Sequence, residues 1–292
     1  MIRILTVLMF ITLISCNRGS SDSGKQIITV SIAPFKYFVT EIAGDDFSVN
    51  VIVPPGANPH IYEPFPDQIT KLRKSVAYIS NGYLGFEMAW LDRFYEINKT
   101  MVRLSVGEGI EPIASGHDHA HEVDHAEAAD PHYWVSPKCA LMIASSVKDL
   151  LIELRPASAT DYEKNYSELV RKISEVDNKA KSLFSEFPGM HFMIFHPNLA
   201  YLARDYGLEE IAVEFEGKEP PPSRLKELID LAAEENINTI FVQKEYDSRN
   251  AGAIADEIGA EIRVIDPLSE NWLESTLDII DGLYKSLAQG GK

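Results

Sequence analysis

The chain is poor in cysteine, in basic charge and in long apolar runs, and each shortage excludes something. Among 292 residues there are two cysteines, Cys16 and Cys139. That is too few for a disulfide-stapled scaffold, so stability has to come from an apolar core. Lys and Arg number 27 against 44 Asp and Glu, a formal charge of −17. Such a surface repels phosphate backbones and attracts cations, which excludes nucleic acid as a partner. The longest N-terminal apolar run, from Ile4 to Ile14, is too short to span a bilayer. GxSxG does not occur, so one common hydrolase signature is missing. What is present is an apolar content of 45%, enough at this length for a large core and for two domains.

The N-terminus, MIRILTVLMFITLISC, sets one Arg before the apolar run and ends in small residues at a cysteine. This is the pattern of a secretory signal. Its last four residues, Leu13-Ile14-Ser15-Cys16, resemble the bacterial lipoprotein processing box. The resemblance implies a signal peptide over 1–15 and lipidation of Cys16, hence an extracytoplasmic protein anchored to a membrane. Residues 16–25 are small and polar and suit a flexible tether. Cys139 falls in an apolar helical pattern, CALMIASSVKDLLIEL, and reads as a buried small hydrophobe.

Beyond the tether, short apolar runs at Ile27–Ile32, Phe47–Val53, Ser75–Ser80, Met190–Phe195, Asn238–Val242 and Glu261–Ile265 read as buried strands, most followed by helical periodicity. Alternation of this kind predicts an α/β fold with parallel sheets covered on both faces. Between the third and fourth runs lie a helix over Pro137–Leu154 and a second helical stretch over 157–187, stopped by Pro188-Gly189. About thirty residues at ~1.5 Å rise make a rod of roughly 45 Å, longer than one small domain needs. The spacing therefore predicts two lobes, 26–155 and 189–292, joined by one long helix over 156–188. One large sheet with a long surface helix is the alternative.

In open α/β sheets, ligands sit beyond the carboxyl ends of the strands. His60 stands there, in a loop stiffened by Pro54, Pro55, Pro59 and Pro64. His196 follows the fourth strand and precedes Pro197, Asp266 follows the sixth and precedes Pro267, and His132 follows Pro131. A lone loop histidine is more often hydrogen-bonded than ligating, and a lone Asp before Pro is more often a turn residue. Taken together, the four converge on one cleft as an N₃O set that suits tetrahedral zinc. Glu63 is expected to orient one of the imidazoles.

On these residues the chain resembles the cluster A-I solute-binding proteins of bacterial zinc and manganese ABC importers. The segments that carry the resemblance are GANPHIYEPFPDQI, DPHYWVSPK, FHPNLAYLARDYGL, EGKEPPPSRLKELI, FVQKEYDS and VIDPLS. It implies two α/β lobes on one backbone helix, metal held between them by His60, His132, His196 and Asp266, and an ABC permease as partner. A monomer is expected. Histidine rather than glutamate at position 196 implies Zn2+, since another imidazole moves the site away from the oxygen-rich ligation that Mn2+ prefers. Pro197 and Asn198 depart from the acidic and aromatic residues that often follow that histidine in the zinc branch.

Residues 116–130 hold His117, His119, His121 and His125 with five acids and no Lys or Arg. Zinc members of the family often carry such a segment before the DPH motif. Two readings stay open, a weak secondary metal loop and a solvated acidic loop. For the whole chain the leading reading is capture of Zn2+ for import, not an enzyme. The alternatives are a manganese importer subunit or metal-dependent adhesin of the same fold, and a zinc hydrolase or lyase. Against the last, Asp266 would close the coordination position that activated water needs.

Overall fold

The computed structural model describes residues 24–114, 129–214 and 220–290. The first lobe runs β1 (Gln26–Ile32), α1 (Ala33–Ala43), β2 (Phe47–Val53), α2 (Pro66–Leu72), β3 (Ser75–Ser80), α3 (Gly85–Ile97), β4 (Val102–Ser105) and α4 (Pro137–Leu154). After α5 (Ala159–Phe184) the second lobe runs β5 (His191–Ile194), α6 (Ala200–Tyr206), β6 (Glu209–Ala212), α7 (Pro222–Glu234), β7 (Thr239–Gln243), α8 (Ser248–Ile258), β8 (Glu261–Ile265) and α9 (Trp272–Gly290). The two sheets are separate and parallel, ordered β2-β1-β3-β4 and β6-β5-β7-β8. The alternative of one large sheet is thereby excluded.

β4 and β6 are the strands that the apolar runs do not reveal. Each is four residues long, VRLS and EEIA, and each lies at a sheet edge. A short edge strand is buried on fewer sides, so no continuous apolar run marks it. The central strands show the opposite pattern: Ile28 to Ile32 in β1 and all of β7 are buried.

α5 begins after a 3₁₀ turn at Pro156–Ser158 and spans 26 residues, about 39 Å at 1.5 Å per residue. It buries Tyr162, Leu169, Ile173, Val176, Ala180 and Phe184, whose three- and four-residue spacing makes one stripe. Tyr166, Val170 and Leu183 flank that stripe and are half-buried. At its start Tyr162 donates to Asp46 Oδ2 at 2.7 Å and Asn165 to the Ile42 carbonyl at 2.9 Å. Toward its end Lys179 pairs with Asp281 of α9 at 2.7 Å, and Asp177 Oδ1 accepts from Tyr206 of α6 at 3.0 Å. One helix thus touches both lobes.

The apolar core is continuous across that junction, from β1 and α1 through α4 and α5 to Phe192, Ile194, Ile265 and Trp272, while a smaller cluster lies within the second lobe around Ile240 and Val242. Two tryptophans fasten the lobes directly. Trp134 Nε1 donates to the Pro267 carbonyl at 2.9 Å and Trp272 Nε1 to the Trp134 carbonyl at 2.7 Å. Buried N–H groups need such acceptors, so the pair fixes register as well as area. Cys139 is buried in α4. No helix among the described residues is long and apolar enough to cross a membrane.

Candidate metal centre

His60, His132 and His196 come together in the crevice beyond the strand ends. His60 Nε2 lies 3.2 Å from His132 Nε2 and 3.1 Å from His196 Nε2. His132 and His196 are buried and His60 is half-buried. Each arrives by a different route. The proline-rich loop after β2 presents His60, whose backbone N–H donates to Asn58 Oδ1 at 2.9 Å. His132 precedes the 3₁₀ turn Tyr133–Val135, which leads into α4 through the Ser136 N-cap. His196 leaves β5, and Gln243 of β7 accepts from its N–H at 3.4 Å and donates to its carbonyl. That side chain continues the ladder two residues past the end of β5.

Carboxylates orient two of the rings. Asp130 Oδ1 accepts from the His132 backbone N–H and faces its Nδ1, both at 2.7 Å. Glu214 Oε2 lies 2.5 Å from His196 Nδ1. A neutral imidazole that donates from Nδ1 keeps a lone pair on Nε2. The two lone pairs then point into the space that His60 Nε2 also faces, where a cation can accept all three. Tetrahedral bonds of 2.0–2.1 Å place neighbouring donor nitrogens about 3.3 Å apart. The observed 3.1 and 3.2 Å match that spacing, so the donor set fits a small divalent ion.

Burial sets the ionisation of these groups. It lowers the His196 pKa, outweighing the opposing pull of Glu214, so the neutral, ligating form is favoured. Burial alone would raise Asp130, but the adjacent His132 and the hydrogen bonds from it hold that carboxyl below its ordinary range. Tyr246 stacks on the His196 ring at 4.9 Å and 19°, covering one side of the site.

Asp266 is placed differently from the three histidines. Among the described residues, the group whose ligand atoms lie within 4.8 Å of one another contains the three histidines only. Asp266 Oδ2 pairs with Lys244 at 3.1 Å. Gln243 and Ile265 are register partners on β7 and β8, so the next residues, Lys244 and Asp266, leave adjacent strands side by side. The buried Oδ1 of Asp266 has no hydrogen-bond partner among the described residues. Glu63 is exposed, and no hydrogen bond or ion pair of it occurs among the described residues. The orienting carboxylates are Asp130 and Glu214 instead. DPH carries a signal for Asp130, two residues before the ligand, whereas nothing local marks Glu214, which lies 18 residues from His196. Glu245 is a further acid at the site that sequence reasoning misses. Burial raises its pKa to about 7, and the charge of Asp266 acts in the same direction. His117, His119, His121, His125, Cys16 and the 1–15 segment lie outside the described residues.

The placement of these acids makes a prediction. Glu214→Gln is expected to weaken zinc binding about 10- to 100-fold, the usual cost of losing a carboxylate behind a ligating imidazole. Glu63→Gln should leave it unchanged. Competition against a chromophoric chelator reads both, and equal effects would contradict the assignment.

A family model described as ZnuA, zinc-uptake complex component A periplasmic, matches residues 28–290. The zinc-binding lipoprotein AdcA of Streptococcus pneumoniae (strain ATCC BAA-255 / R6) is 26% identical over 284 residues, covering 94% of this chain and 56% of the relative. The chain therefore spans little more than half the length of that curated relative. The iron-binding protein YfeA of Yersinia pestis is 27% identical over 299 residues, covering 98% of this chain and 94% of the relative. Among solved structures, a crystal structure of ZnuA superposes with a TM-score of 0.82 at 34% identity, covering 90% of this chain and 99% of that one.

Proposed function

The chain belongs to the family of zinc-uptake complex component A periplasmic proteins, and from that premise we propose that it captures Zn2+ outside the cytoplasmic membrane and delivers it to an ABC permease. The observation that carries this reading is the convergence of three imidazoles, with His60 Nε2 3.1–3.2 Å from the Nε2 atoms of the other two and each of those two backed by a carboxylate. Nitrogen-rich ligation of this kind favours zinc over manganese. Asp266 supplies the fourth donor through Oδ1, the oxygen that Lys244 does not hold. With that position filled, the ion is cargo and no activated water remains, which separates the site from a zinc hydrolase or lyase. The division that goes with this reading is a first lobe over 26–155, a linking helix over 156–188 and a second lobe over 189–292.

The same reading assigns Cys16 to a lipid anchor after removal of 1–15, and an extracytoplasmic location to the folded body. The histidines at 117, 119, 121 and 125 collect metal weakly for the buried centre. The binding experiment is direct. Metal-stripped protein offered equal Zn2+ and Mn2+ should retain one zinc per chain by elemental analysis, with manganese at background. Retention of manganese would move the protein to the manganese importers, and retention of neither would remove the importer reading altogether.

A further inference from the structure

The first turn of α3 touches the supports of both first-lobe histidines without supplying a ligand itself. Gly85, its first residue, lies against the His60 backbone: a Cβ built there would come within 2.6 Å of the His60 carbonyl oxygen and 3.5 Å of its Cα. Real Cβ atoms do not approach backbone oxygen that closely, so any larger residue must push the His60 segment away. Phe86 N–H donates to the Pro59 carbonyl at 3.4 Å, tying the same segment to the helix.

Two residues on, Glu87 is completely buried. Its Oε1 accepts from Asn81 N–H at 2.9 Å and its Oε2 from Gly82 N–H at 2.6 Å. Gly82 has φ +99°, a conformation that side chains rarely adopt, so this turn needs both its glycine and an acceptor for its amides. Asn81 then reaches the other ligand. Its Nδ2 donates to the Pro131 carbonyl at 2.9 Å, and its own carbonyl accepts from Tyr133 OH at 2.6 Å. Pro131 and Tyr133 are the two neighbours of His132 in the chain. A buried carboxylate that only stabilised its own helix would accept from that helix's free amides. Glu87 accepts from a preceding turn, and that turn grips both sides of His132.

We propose that the first turn of α3 is the positioning element that sets the spacing of His60 and His132, Gly85 by letting the His60 backbone lie against the helix and Glu87 by holding the Asn81-Gly82 turn that fixes Pro131 and Tyr133. The proposal rests on the zinc-site reading of the three histidines. Gly85→Ala is the cleaner variant, because Gly85 has no left-handed φ and alanine is a better helix former. It should displace His60 while leaving the helix formed. Glu87→Gln keeps size and replaces one of the two acceptor oxygens with an NH2 donor, so it can no longer accept from both amides.

Both variants should weaken zinc binding about 10-fold or more and change the visible absorption of the Co2+-substituted protein, which reports the ligand field directly. Phe94→Leu, a buried change at the far end of the same helix, should lower Tm without either effect. Parent-like affinity and Co2+ spectrum in both α3 variants would overturn the proposal, as would an equal loss in Phe94→Leu, since binding would then simply follow stability. His60→Ala, measured beside them, separates the two levels: if it too binds zinc like the parent, the site assignment itself falls, and if it alone loses binding, only the role of α3 does.

Discussion

Replacing His60 and His196 together with alanine is expected to abolish tight zinc binding, with a loss on the order of 10³-fold or more. Four-ligand protein zinc sites bind with about 10–16 kcal/mol, so removing half the donors costs on the order of 5 kcal/mol. The pair is chosen because it takes one imidazole from each lobe, His60 after β2 and His196 after β5. His60 Nε2 is also the atom within 3.2 Å of both other rings, so its loss opens the cluster at its centre. Deletion of residues 117–125 in the parent should leave the tight site intact. Isothermal titration of the three proteins decides the matter, and tight binding that survives the double variant would overturn the site assignment.

Zinc should raise the melting temperature by about 10 °C when present at a thousandfold excess over its dissociation constant, and this shift should disappear in mild acid. The linkage is worth about 4 kcal/mol at that excess, and 1 kcal/mol moves Tm by roughly 2–4 °C in a chain of this size. Protons compete with the ion for the same nitrogens, so acid can act in one direction only. His196 has its pKa depressed below 6.5, chiefly by burial. Its stabilising contribution is therefore present above the unfolded value and is lost as pH falls through the depressed folded value. Glu245 has the opposite sign. With its pKa raised from 4.5 to about 7, its contribution is present below the unfolded value and is lost as pH rises through the folded one. The Tm of the metal-free protein therefore combines opposed contributions, whereas the zinc-induced increment falls steadily with acid. Melting curves with and without zinc between about pH 5 and pH 8 test this. A shift as large at the acid end as at the neutral end would rule out ligation by imidazole.

Much of the architecture is legible in the chain because buried parallel strands leave continuous apolar runs. β2, β3 and β8 begin and end where those runs do, as does α4 where Pro137 opens it. β4 and β6 are not legible, since an edge strand of four residues with an arginine or two glutamates carries no such run. The long helix is legible in period, but it runs over Ala159–Phe184 and ends before Pro188-Gly189, and its buried stripe runs through Ala180 and Phe184. The packing against α1, α4, α6 and α9 selects that face.

The candidate site divides along the same physical line. Placement beyond strand ends, with proline on one side of each residue, is a local property of the chain, and it leads from sequence alone to His60, His132, His196 and Asp266. Which atoms face one another is a property of the tertiary structure. Three imidazoles meet, while Asp266 stands beside Lys244 because β7 and β8 run parallel in register and release those two residues together. Glu214 and Asp130 take the orienting role expected of Glu63: Asp130 stands two residues from its imidazole, whereas Glu214 is brought to His196 by the pairing of β5 with β6. The sequence by itself determined the fold class, the two-lobe plan and the histidines that meet in the cleft. The tertiary structure alone decided that Glu214, and not Glu63, serves one of those histidines, because a hydrogen bond over 18 residues depends on which side chains the fold brings within reach.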